Sequence, residues 1–260
     1  MNNLNLKHIV ESLIDTFVHA GNIAKEISNR GVKIKIKEDN TPVTDGDLAV
    51  DEILRLKIKS LTPNIPIISE ETVNLNIEIN EKDKTFWLVD PIDGTRDYIK
   101  KKEEYTLNAA LIINANPALG IIYAPAKNRL FFSYGKNLAF EIRDGQKKDL
   151  NCKKKNVNEI IGLEHSGVTP TEVSVIYNKH KVSRKIKMSS SLKFCILAAG
   201  EADIYAANAR ACEWDIAAGH TILEHAGGLM ATHDGKKILY GKKDYKNLDI
   251  LAKRSLKLEL

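Results

Sequence analysis

The sequence predicts a protein of the mixed α/β class, with an antiparallel sheet and helices in its first part and alternating strands and helices in its second part. Three observations support this class. Apolar side chains recur at three- and four-residue spacing over residues 5–28, as in an amphipathic helix. Apolar strands within 106–143 are joined by short turns containing Asn, Gly or Pro, which favours antiparallel pairing. Beyond residue 156, short strands alternate with helices.

The segment 144–156 contains an Asp-Gly-Gln turn followed by a lysine run and is the best candidate for a domain boundary. We therefore expect an N-terminal α+β domain over 1–143 and a smaller C-terminal α/β domain over 144–260. An active site would lie between them, because clefts at domain interfaces often hold ligands.

Composition limits the function classes. The 260 residues are 43% hydrophobic and 28% charged, as in a globular protein with a full core. The net charge of +5 includes lysine runs such as 100–102 without interleaved aromatic residues, so we expect solvated faces and no nucleic-acid partner. Three cysteines without metal-binding spacing, no signal-peptide pattern and no apolar run of about 18 residues predict a cytoplasmic protein without an integral membrane segment. It would at most touch the inner face of the membrane.

Residues 32–37 alternate valine or isoleucine with lysine, which predicts a half-buried strand. A loop rich in turn residues then leads into a second helix with Thr44 or Asp45 as its N-cap. A carboxylate in the first turn is favoured by the helix dipole, and for Asp45 we prefer this structural role. For Asp47 we expect a functional one.

An apolar strand over 65–69 ends in two acids, Glu70 and Glu71. They are either surface charges of a loop or ligands placed at a strand end. The polar segment 72–84 that follows is expected to be a mobile loop.

A second buried strand, 86–89, runs into the stretch Asp90-Pro91-Ile92-Asp93-Gly94-Thr95. Proline cannot donate to a strand ladder, so we expect the strand to stop at Pro91. Two carboxylates then lie on the exit turn, where Gly94 permits an unusual backbone angle. Taken alone, the stretch is equally compatible with an Asp-Pro turn closed by an Asx hydrogen bond.

In the second half, the pattern predicts one helix that starts at residues 189–191 and ends at Gly200, and another from Glu213 to His225 that ends at Gly227-Gly228. The short strands predicted there are 172–177, 203–206, 229–232, 238–240 and 248–252.

Five acids share a position at a strand end or a helix start: Asp47, Glu70, Asp90, Asp93 and Asp215. Converging carboxylates are costly unless a positive charge neutralises them. Mg²⁺ prefers such oxygen ligands, and metal ions assist phosphate chemistry by holding the attacking and leaving oxygens.

The start of the helix near residue 190 has the character of an anion site. Three serines, 189–191, precede Lys193, so hydroxyls, free amides and a cation lie close together. The alternative is an ordinary capped helix.

Three motifs are shared with a known family: Ser69-Glu70-Glu71, Asp90-Pro91-Ile92-Asp93-Gly94-Thr95, and Trp214-Asp215-Ile216-Ala217-Ala218-Gly219 with Gly227-Gly228. In type, order and spacing they resemble the inositol monophosphatase superfamily of Mg²⁺-dependent, lithium-sensitive phosphatases. The resemblance extends from the first helix to the last strand. It implies an inositol monophosphatase-like α/β/α/β/α sandwich.

Within the superfamily the chain is most similar to the CysQ-type branch, the 3′(2′),5′-bisphosphate nucleotidases. The stretches that carry this similarity are Thr41–Asp47, Tyr98–Lys100, Tyr105–Ile112, Leu119–Pro125 and Ser189–Cys195.

The resemblance implies a site with two to three Mg²⁺ ions. Glu70, Asp90 and the backbone carbonyl of Ile92 would bind one ion, and Asp90, Asp93 and Asp215 a second. A third, looser ion would lean on Glu70. Asp215 would also face the substrate.

The resemblance further implies how the substrate is held. The amides of Gly94 and Thr95 would bind the scissile phosphate, and the Thr95 hydroxyl, paired with Asp47, would orient and help to deprotonate the attacking water. The nucleotide and its second phosphate would be held by His180, Ser191 and Lys193.

One departure concerns the stretch before the Trp-Asp motif, where the CysQ-type branch usually carries Tyr-Pro-Arg-Phe-Gly-Pro-Thr. Here residues 205–211 read Tyr-Ala-Ala-Asn-Ala-Arg-Ala, with Ala207 at the arginine position and Arg210 three residues later. Either Arg210 reaches the same phosphate, or the pocket accepts another substrate.

We therefore expect a phosphoric monoester hydrolase that converts adenosine 3′,5′-bisphosphate to AMP and phosphate by attack of a metal-activated water. One alternative is an inositol or sugar monophosphate phosphatase. Another is a non-catalytic metal- or nucleotide-binding protein, against which the full acid set with Thr95 argues. Such a family often forms homodimers, which is one option here.

Overall fold

The structure, a computed structural model, describes residues 4–73, 84–152 and 159–255. Most of the segment 72–84, for which a mobile loop was predicted, lies outside the described residues. The helices in the described ranges are α1 (Leu6–Arg30), α2 (Asp45–Leu61), α3 (Thr95–Ile99), α4 (Thr171–Lys179), α5 (Leu192–Ala198) and α6 (Glu213–His225). None of them combines the length and the apolar composition needed to cross a bilayer.

The larger sheet has seven strands in the order β3-β4-β5-β6-β7-β8-β9. Only β3 and β4 pair in parallel, and the remaining neighbours are antiparallel. The first nine strands in the described ranges are β1 (Ile34–Ile36), β2 (Pro42–Thr44), β3 (Ile67–Ser69), β4 (Phe86–Asp93), β5 (Thr106–Ile113), β6 (Asn116–Ala124), β7 (Arg129–Gly135), β8 (Leu138–Arg143) and β9 (Gln146–Asp149). The hairpin of β1 and β2 forms a separate two-stranded sheet.

The smaller sheet has five strands in the order β11-β10-β12-β14-β13. Strand β10 is parallel to β11 and β12, and β14 is antiparallel to its two neighbours. The strands that build it are β10 (Ile161–Glu164), β11 (Arg184–Lys187), β12 (Ile204–Ala207), β13 (Leu229–Ala231) and β14 (Ile250–Lys253).

The elements pack as five layers, in agreement with the predicted α/β/α/β/α sandwich. Side chains of α1 and α2 such as Phe17 and Leu54 pack on one face of the larger sheet, where they meet Trp87 of β4. Leu88 of the same strand points to the opposite face, into a core shared with α5, α6 and the smaller sheet. Helix α4 covers the outer face of that sheet through Val173 and Tyr177. Burial on both faces explains why the strands of the larger sheet are apolar at successive positions.

Strand β9 pairs with β8 and so extends the larger sheet to Asp149, within the segment 144–156 where the domain boundary was expected. The core between the sheets includes Leu150 and Cys152 together with residues of both halves. The division into 1–143 and 144–260 stays a prediction.

The prediction of a strand over 172–177 is wrong, because this segment lies in α4. Val173 and Tyr177, four residues apart, are buried on one helix face with Ile176 beside them, whereas Val175 is 61% exposed. A strand would have placed Val173, Val175 and Tyr177 on the same face, and this alternation suggested the wrong period.

Three further expectations need correction. Strand β4 does not stop at Pro91 but continues to Asp93, because a register shift between Asp90 and Asp93 accommodates the proline. The strand expected to be half-buried over 32–37 exposes both isoleucines of β1, Ile34 and Ile36, because the hairpin pairs only with itself. Residues 238–240 form no strand, and only an isolated bridge from Lys237 to Ala231 lies beside them.

Candidate active site

The acids that end β3 and β4 meet at one edge of the larger sheet. Because the two strands are parallel and Ser69 pairs in register with Val89, their carboxyl ends lie side by side. The amide of Glu70 donates to the carbonyl of Val89 at 3.1 Å, which places Glu70 next to Asp90. Asp215, in the first turn of α6, completes a group in which carboxylate oxygens of Glu70, Asp90 and Asp215 lie within 4.8 Å of one another.

The turn after β4 leads directly into α3. Gly94 adopts a left-handed backbone angle, φ 94°, which L side chains rarely adopt. A Cβ atom there would also lie 3.3 Å from the carbonyl oxygen of Glu104. This conformation allows α3 to begin at Thr95 immediately after the acids of the strand exit, so glycine is required at the point where strand becomes helix.

Asp47 joins the start of α2 to this turn. Its Oδ2 accepts from the amide and the hydroxyl of Thr44, at 2.8 and 2.5 Å, in a capping box. Its Oδ1 accepts from the Thr95 hydroxyl at 3.1 Å, and that hydroxyl also lies 3.1 Å from the carbonyl oxygen of Ile92. Burial raises the pKa of Asp47, although the bonds from Thr44 and Thr95 oppose the shift.

Asp90 lies at the centre of the acid group and is 1% exposed. Neither of its carboxylate oxygens has a hydrogen-bond partner among the described residues. Burial, followed by the charges of Glu70, Asp93 and Asp215, raises the pKa of Asp90 well above its usual range. A buried carboxylate in this state requires either a proton or a cation, and an Asp90 oxygen lies within 4.8 Å of carboxylate oxygens of Glu70 and Asp215.

The other two buried acids are partly satisfied. Asp215 Oδ2 accepts from the amide of Cys212 at 2.7 Å, yet burial and then Asp93 and Glu70 raise the pKa of Asp215 well above its usual range. Asp93 accepts a short bond from the Ser191 amide, and burial raises the pKa of Asp93 to about 6. Asp93 is not one of the three acids whose oxygens converge within 4.8 Å, although it lines the same cavity.

The donor set fits a hard divalent cation. It offers several carboxylate oxygens, two of them without partners, and no sulfur or imidazole ligand among the converging groups. Mg²⁺ and similar ions select such oxygen ligands.

A cavity of about 510 Å³ opens in front of the acids. Its lining contains Glu70, Asp93, Thr95 and Asp215 on one side. The basic side chains that also line it are Arg96, Lys100, Lys102, His165, Lys193 and Arg210. The cavity therefore combines acids that could hold a cation with basic side chains that would favour an anionic ligand.

The profile of the inositol monophosphatase family matches residues 5–259. The chain belongs to this family. The predicted resemblance is thereby confirmed, and it extends to individual relatives.

A 3′(2′),5′-bisphosphate nucleotidase CysQ from Buchnera aphidicola is 39% identical over 215 residues, covering 82% of this chain and 79% of that protein. A CysQ of the same description from Aggregatibacter actinomycetemcomitans is 30% identical over 239 residues, covering 91% of this chain and 89% of that protein. The crystal structure of CysQ from Bacteroides thetaiotaomicron, described as a bacterial member of the inositol monophosphatase family, superposes with a TM-score of 0.78 at 26% identity. That superposition covers 96% of this chain and 98% of the other.

Helix α5 begins at Leu192 rather than at the first serine. The two residues expected to bind substrate at its start, Ser191 and Lys193, are both buried. Ser191 is 1% exposed, its amide donates to Asp93, and its hydroxyl donates to Asn108 Oδ1 at 2.6 Å. Lys193 is buried, and its Nζ bonds to the carbonyl of Ser190. Burial lowers the pKa of Lys193 to about 8, opposed by the charge of Asp93.

The structure does not bring His180 to the cavity. This residue caps the end of α4, and the histidine in the cavity lining is His165, just after β10. His165 was not predicted as a site residue, because it follows β10, and the four buried residues of that strand contain only two large apolar side chains.

Two other contacts of the site were missed. Lys37 Nζ lies 3.3 Å from Glu70 Oε1 and 2.8 Å from Glu71 Oε2, so a lysine assigned to the solvent side of a strand neutralises part of the acid group. Arg96 lies beside Thr95 in the cavity lining. No pattern in the sequence around Lys37 or Arg96 distinguishes these two residues from the other lysines and arginines of the chain.

Proposed function

We propose that this chain is a Mg²⁺-dependent phosphatase that removes the 3′-phosphate of adenosine 3′,5′-bisphosphate, giving AMP and phosphate. The observation that carries the proposal is the convergence of Glu70, Asp90 and Asp215 beside the hydrogen-bonded pair of Thr95 and Asp47. Relatives that bear the name 3′(2′),5′-bisphosphate nucleotidase match this chain over most of its length.

The residues that would hold the metal are those at the strand exits. Glu70, Asp90 and the Ile92 carbonyl would bind one Mg²⁺ ion, and Asp90, Asp93 and Asp215 a second, with a third ion near Glu70. When bound, Mg²⁺ neutralises the phosphate dianion and lowers the pKa of a coordinated water. The orphaned oxygens of Asp90 support this assignment because a cation would supply the partner that each of them lacks.

The chain's own groups would orient and deprotonate the attacking water. The Thr95 hydroxyl lies 3.1 Å from Asp47 Oδ1 and from the Ile92 carbonyl oxygen; when it donates to Asp47, its oxygen can still accept a hydrogen bond from water. As the water loses its proton to Thr95, the Thr95 hydroxyl proton moves to Asp47 Oδ1. The raised pKa of Asp47, caused by burial, favours that acceptance.

The substrate would be held from two sides. The amides at Gly94 and Thr95, where the strand exit turns into α3, would bind the scissile phosphate. Lys193 and Arg210, which line the same cavity, would meet the second phosphate. Ala207 also lines the cavity. It is smaller than the arginine that the CysQ-type branch usually has at this position.

Ala207 favours a second candidate, an inositol or sugar monophosphate phosphatase, because such a substrate needs no cation for a second phosphate. The measurement that separates the two is phosphate release by the purified protein with Mg²⁺, from adenosine 3′,5′-bisphosphate and from inositol 1-phosphate, each with and without EDTA. We expect a strong preference for the bisphosphate that EDTA abolishes.

A preference for inositol 1-phosphate would agree with the proposed metal site but would refute adenosine 3′,5′-bisphosphate as the substrate. Release that persists in EDTA would overturn the metal dependence. No release from either compound would favour a metal- or nucleotide-binding role. A cytoplasmic location, contact with the inner membrane face and a homodimer stay predictions.

A further inference from the structure

Helix α2 carries three charged side chains on one face, and two of them contact the strand exits. Asp47, Asp51 and Arg55 follow one another at four-residue spacing and therefore lie on one helix face. Asp51 is 2% exposed, which is unusual for a charged residue and requires partners. Its Oδ2 accepts from Arg55 Nε at 2.6 Å, and its Oδ1 accepts a short hydrogen bond from the hydroxyl of Ser69.

Ser69 is the last residue of β3 and is fully buried. It pairs with Val89 in the sheet, and the next amide, that of Glu70, donates to the Val89 carbonyl at 3.1 Å. The backbone of Ser69 is therefore held by β4 and its side chain by α2. Glu70 leaves the strand from this doubly anchored residue.

The same helix anchors the other half of the site. One turn before Asp51, Asp47 Oδ1 accepts from the Thr95 hydroxyl at 3.1 Å. Helix α2 thus binds the end of β3 through Asp51 and the turn after β4 through Asp47. Because a helix turn is rigid, α2 adds a second constraint, beside the pairing of β3 with β4, on the position of Glu70 relative to Thr95.

We propose that Asp51 and Ser69 are positioning residues for the metal site, and that their hydrogen bond holds Glu70 beside Asp90 and Asp215. The inference rests on the proposed function in one respect, that the acid group binds Mg²⁺. Arg55 donates to Asp51 Oδ2 and so helps to hold the other oxygen, Oδ1, at Ser69; the Arg55 side chain is 37% exposed, so its charge is partly solvated. Neither Asp51 nor Ser69 lines the cavity as far as the described residues show, so both act through Glu70.

A purely structural role would lower the stability of the fold and leave the affinity for Mg²⁺ unchanged. The test is isothermal titration of the metal-free protein with Mg²⁺ alone, on the wild type, Ser69→Ala and Asp51→Asn. A matched control is Ser133→Ala, since Ser133 is an equally buried serine of the same sheet whose hydroxyl has no hydrogen-bond partner among the described residues. Thermal unfolding in EDTA measures stability in parallel.

We expect Ser69→Ala and Asp51→Asn each to weaken Mg²⁺ binding about 10- to 100-fold, the range seen when groups that orient metal ligands are removed. The double variant should be no weaker than the worse single one, because both changes break the same hydrogen bond. Ser133→Ala should bind Mg²⁺ within about twofold of the wild type. If Asp51→Asn fails to fold, Ser69→Ala decides the question alone, because it removes a single oxygen atom.

Mg²⁺ affinity of Ser69→Ala within twofold of the wild type would overturn the inference, and so would a wild type that binds no Mg²⁺. The proposed function is judged separately by phosphate release. A wild type that binds Mg²⁺ but releases no phosphate from the bisphosphate would refute that function, while weakened binding by Ser69→Ala would still support the positioning role.

Discussion

Phe194 of α5 packs directly on Gly219 of α6: a Cβ atom at position 219 would lie 2.4 Å from Cδ2 of the phenyl ring. The two helices meet between the sheets, and Lys193 and Asp215 extend from them into the cavity. The absence of a side chain at Gly219 therefore allows α5, which carries Lys193, to lie close to α6, which carries Asp215.

Gly219→Ala should destabilise the protein. In an ordinary helix interior this change gains up to about 1 kcal/mol, but overpacking of a filled core costs about 1–3 kcal/mol. We expect a net loss in the free energy of unfolding measured with urea. Gly167→Ala is the control, because a Cβ there meets nothing closer than 3.5 Å. A Gly219→Ala variant more stable than the wild type would show that α5 can move away without cost.

Asp93→Asn should abolish phosphate release yet stabilise the metal-free fold above pH 6. Burial raises the pKa of Asp93 to about 6, above the value of about 3.9 in an unfolded chain, so the folded state retains the proton between these values. As pH rises through this window, the free energy of unfolding of the wild type falls by up to about 3 kcal/mol. The neutral amide of Asp93→Asn does not titrate and causes no such fall.

Calorimetry in EDTA at pH 4.5 and 7.5 measures this difference. The gap in melting temperature between Asp93→Asn and the wild type should widen toward the higher pH, in favour of the variant. An unchanged gap would mean that Asp93 titrates normally in the fold, and an active Asp93→Asn enzyme would remove Asp93 from the metal site.

His225 should produce the opposite pH dependence. Its Nδ1 accepts from the amide of Gly135 at 3.1 Å, and burial lowers the pKa of His225 to about 4. The folded-state value lies below the usual 6.5, so the neutral ring contributes stability above pH 6.5 that is lost as pH falls toward 4, up to about 3 kcal/mol.

Urea unfolding at pH 7.5 and 5 should therefore show a smaller loss on acidification in His225→Gln than in the wild type. His8→Gln, a change at an exposed histidine of α1, is the control and should follow the wild type. Parallel losses in His225→Gln and the wild type would show that position 225 does not resist protonation.

Lys193→Met and Arg210→Gln should affect the bisphosphate selectively. Both cations line the cavity, and a charge-assisted hydrogen bond is worth about 1.5–3 kcal/mol, so kcat/KM for adenosine 3′,5′-bisphosphate should fall about 10- to 100-fold. Release from inositol 1-phosphate should change by less than about threefold. Lys187→Met, on β11 and outside the cavity lining, is the control. Equal losses on both substrates would mean that these cations do not meet a second phosphate.

The convergence of Glu70, Asp90 and Asp215 could be predicted from the sequence because it depends on local rules. An apolar run followed by an acid, as before Glu70 and Asp90, predicts where a strand ends. Parallel pairing of the two strands then brings these ends together. The helix start at Asp215 follows from the same kind of local signal.

The rest of the site depends on long-range packing that no short pattern encodes. His165 reaches the cavity from a strand without strong periodicity, and the hydrogen bond from Ser69 to Asp51 joins residues 18 positions apart. The strand predicted over 172–177 was wrong for a related reason. Val173, Val175 and Tyr177 fit the alternation of a strand, and only the packing against the smaller sheet shows that Val173 and Tyr177 are the buried pair.

The acid group draws its members from distant parts of the chain, with Glu70 and Asp90 on adjacent strands and Asp215 on a helix enclosed between the two sheets. During synthesis, a nascent chain that has emerged only as far as β9 carries two of the three carboxylates and none of the Lys193 and Arg210 wall. The complete group of three carboxylates, and with it the hydrolytic activity, should therefore form late, once α6 has inserted.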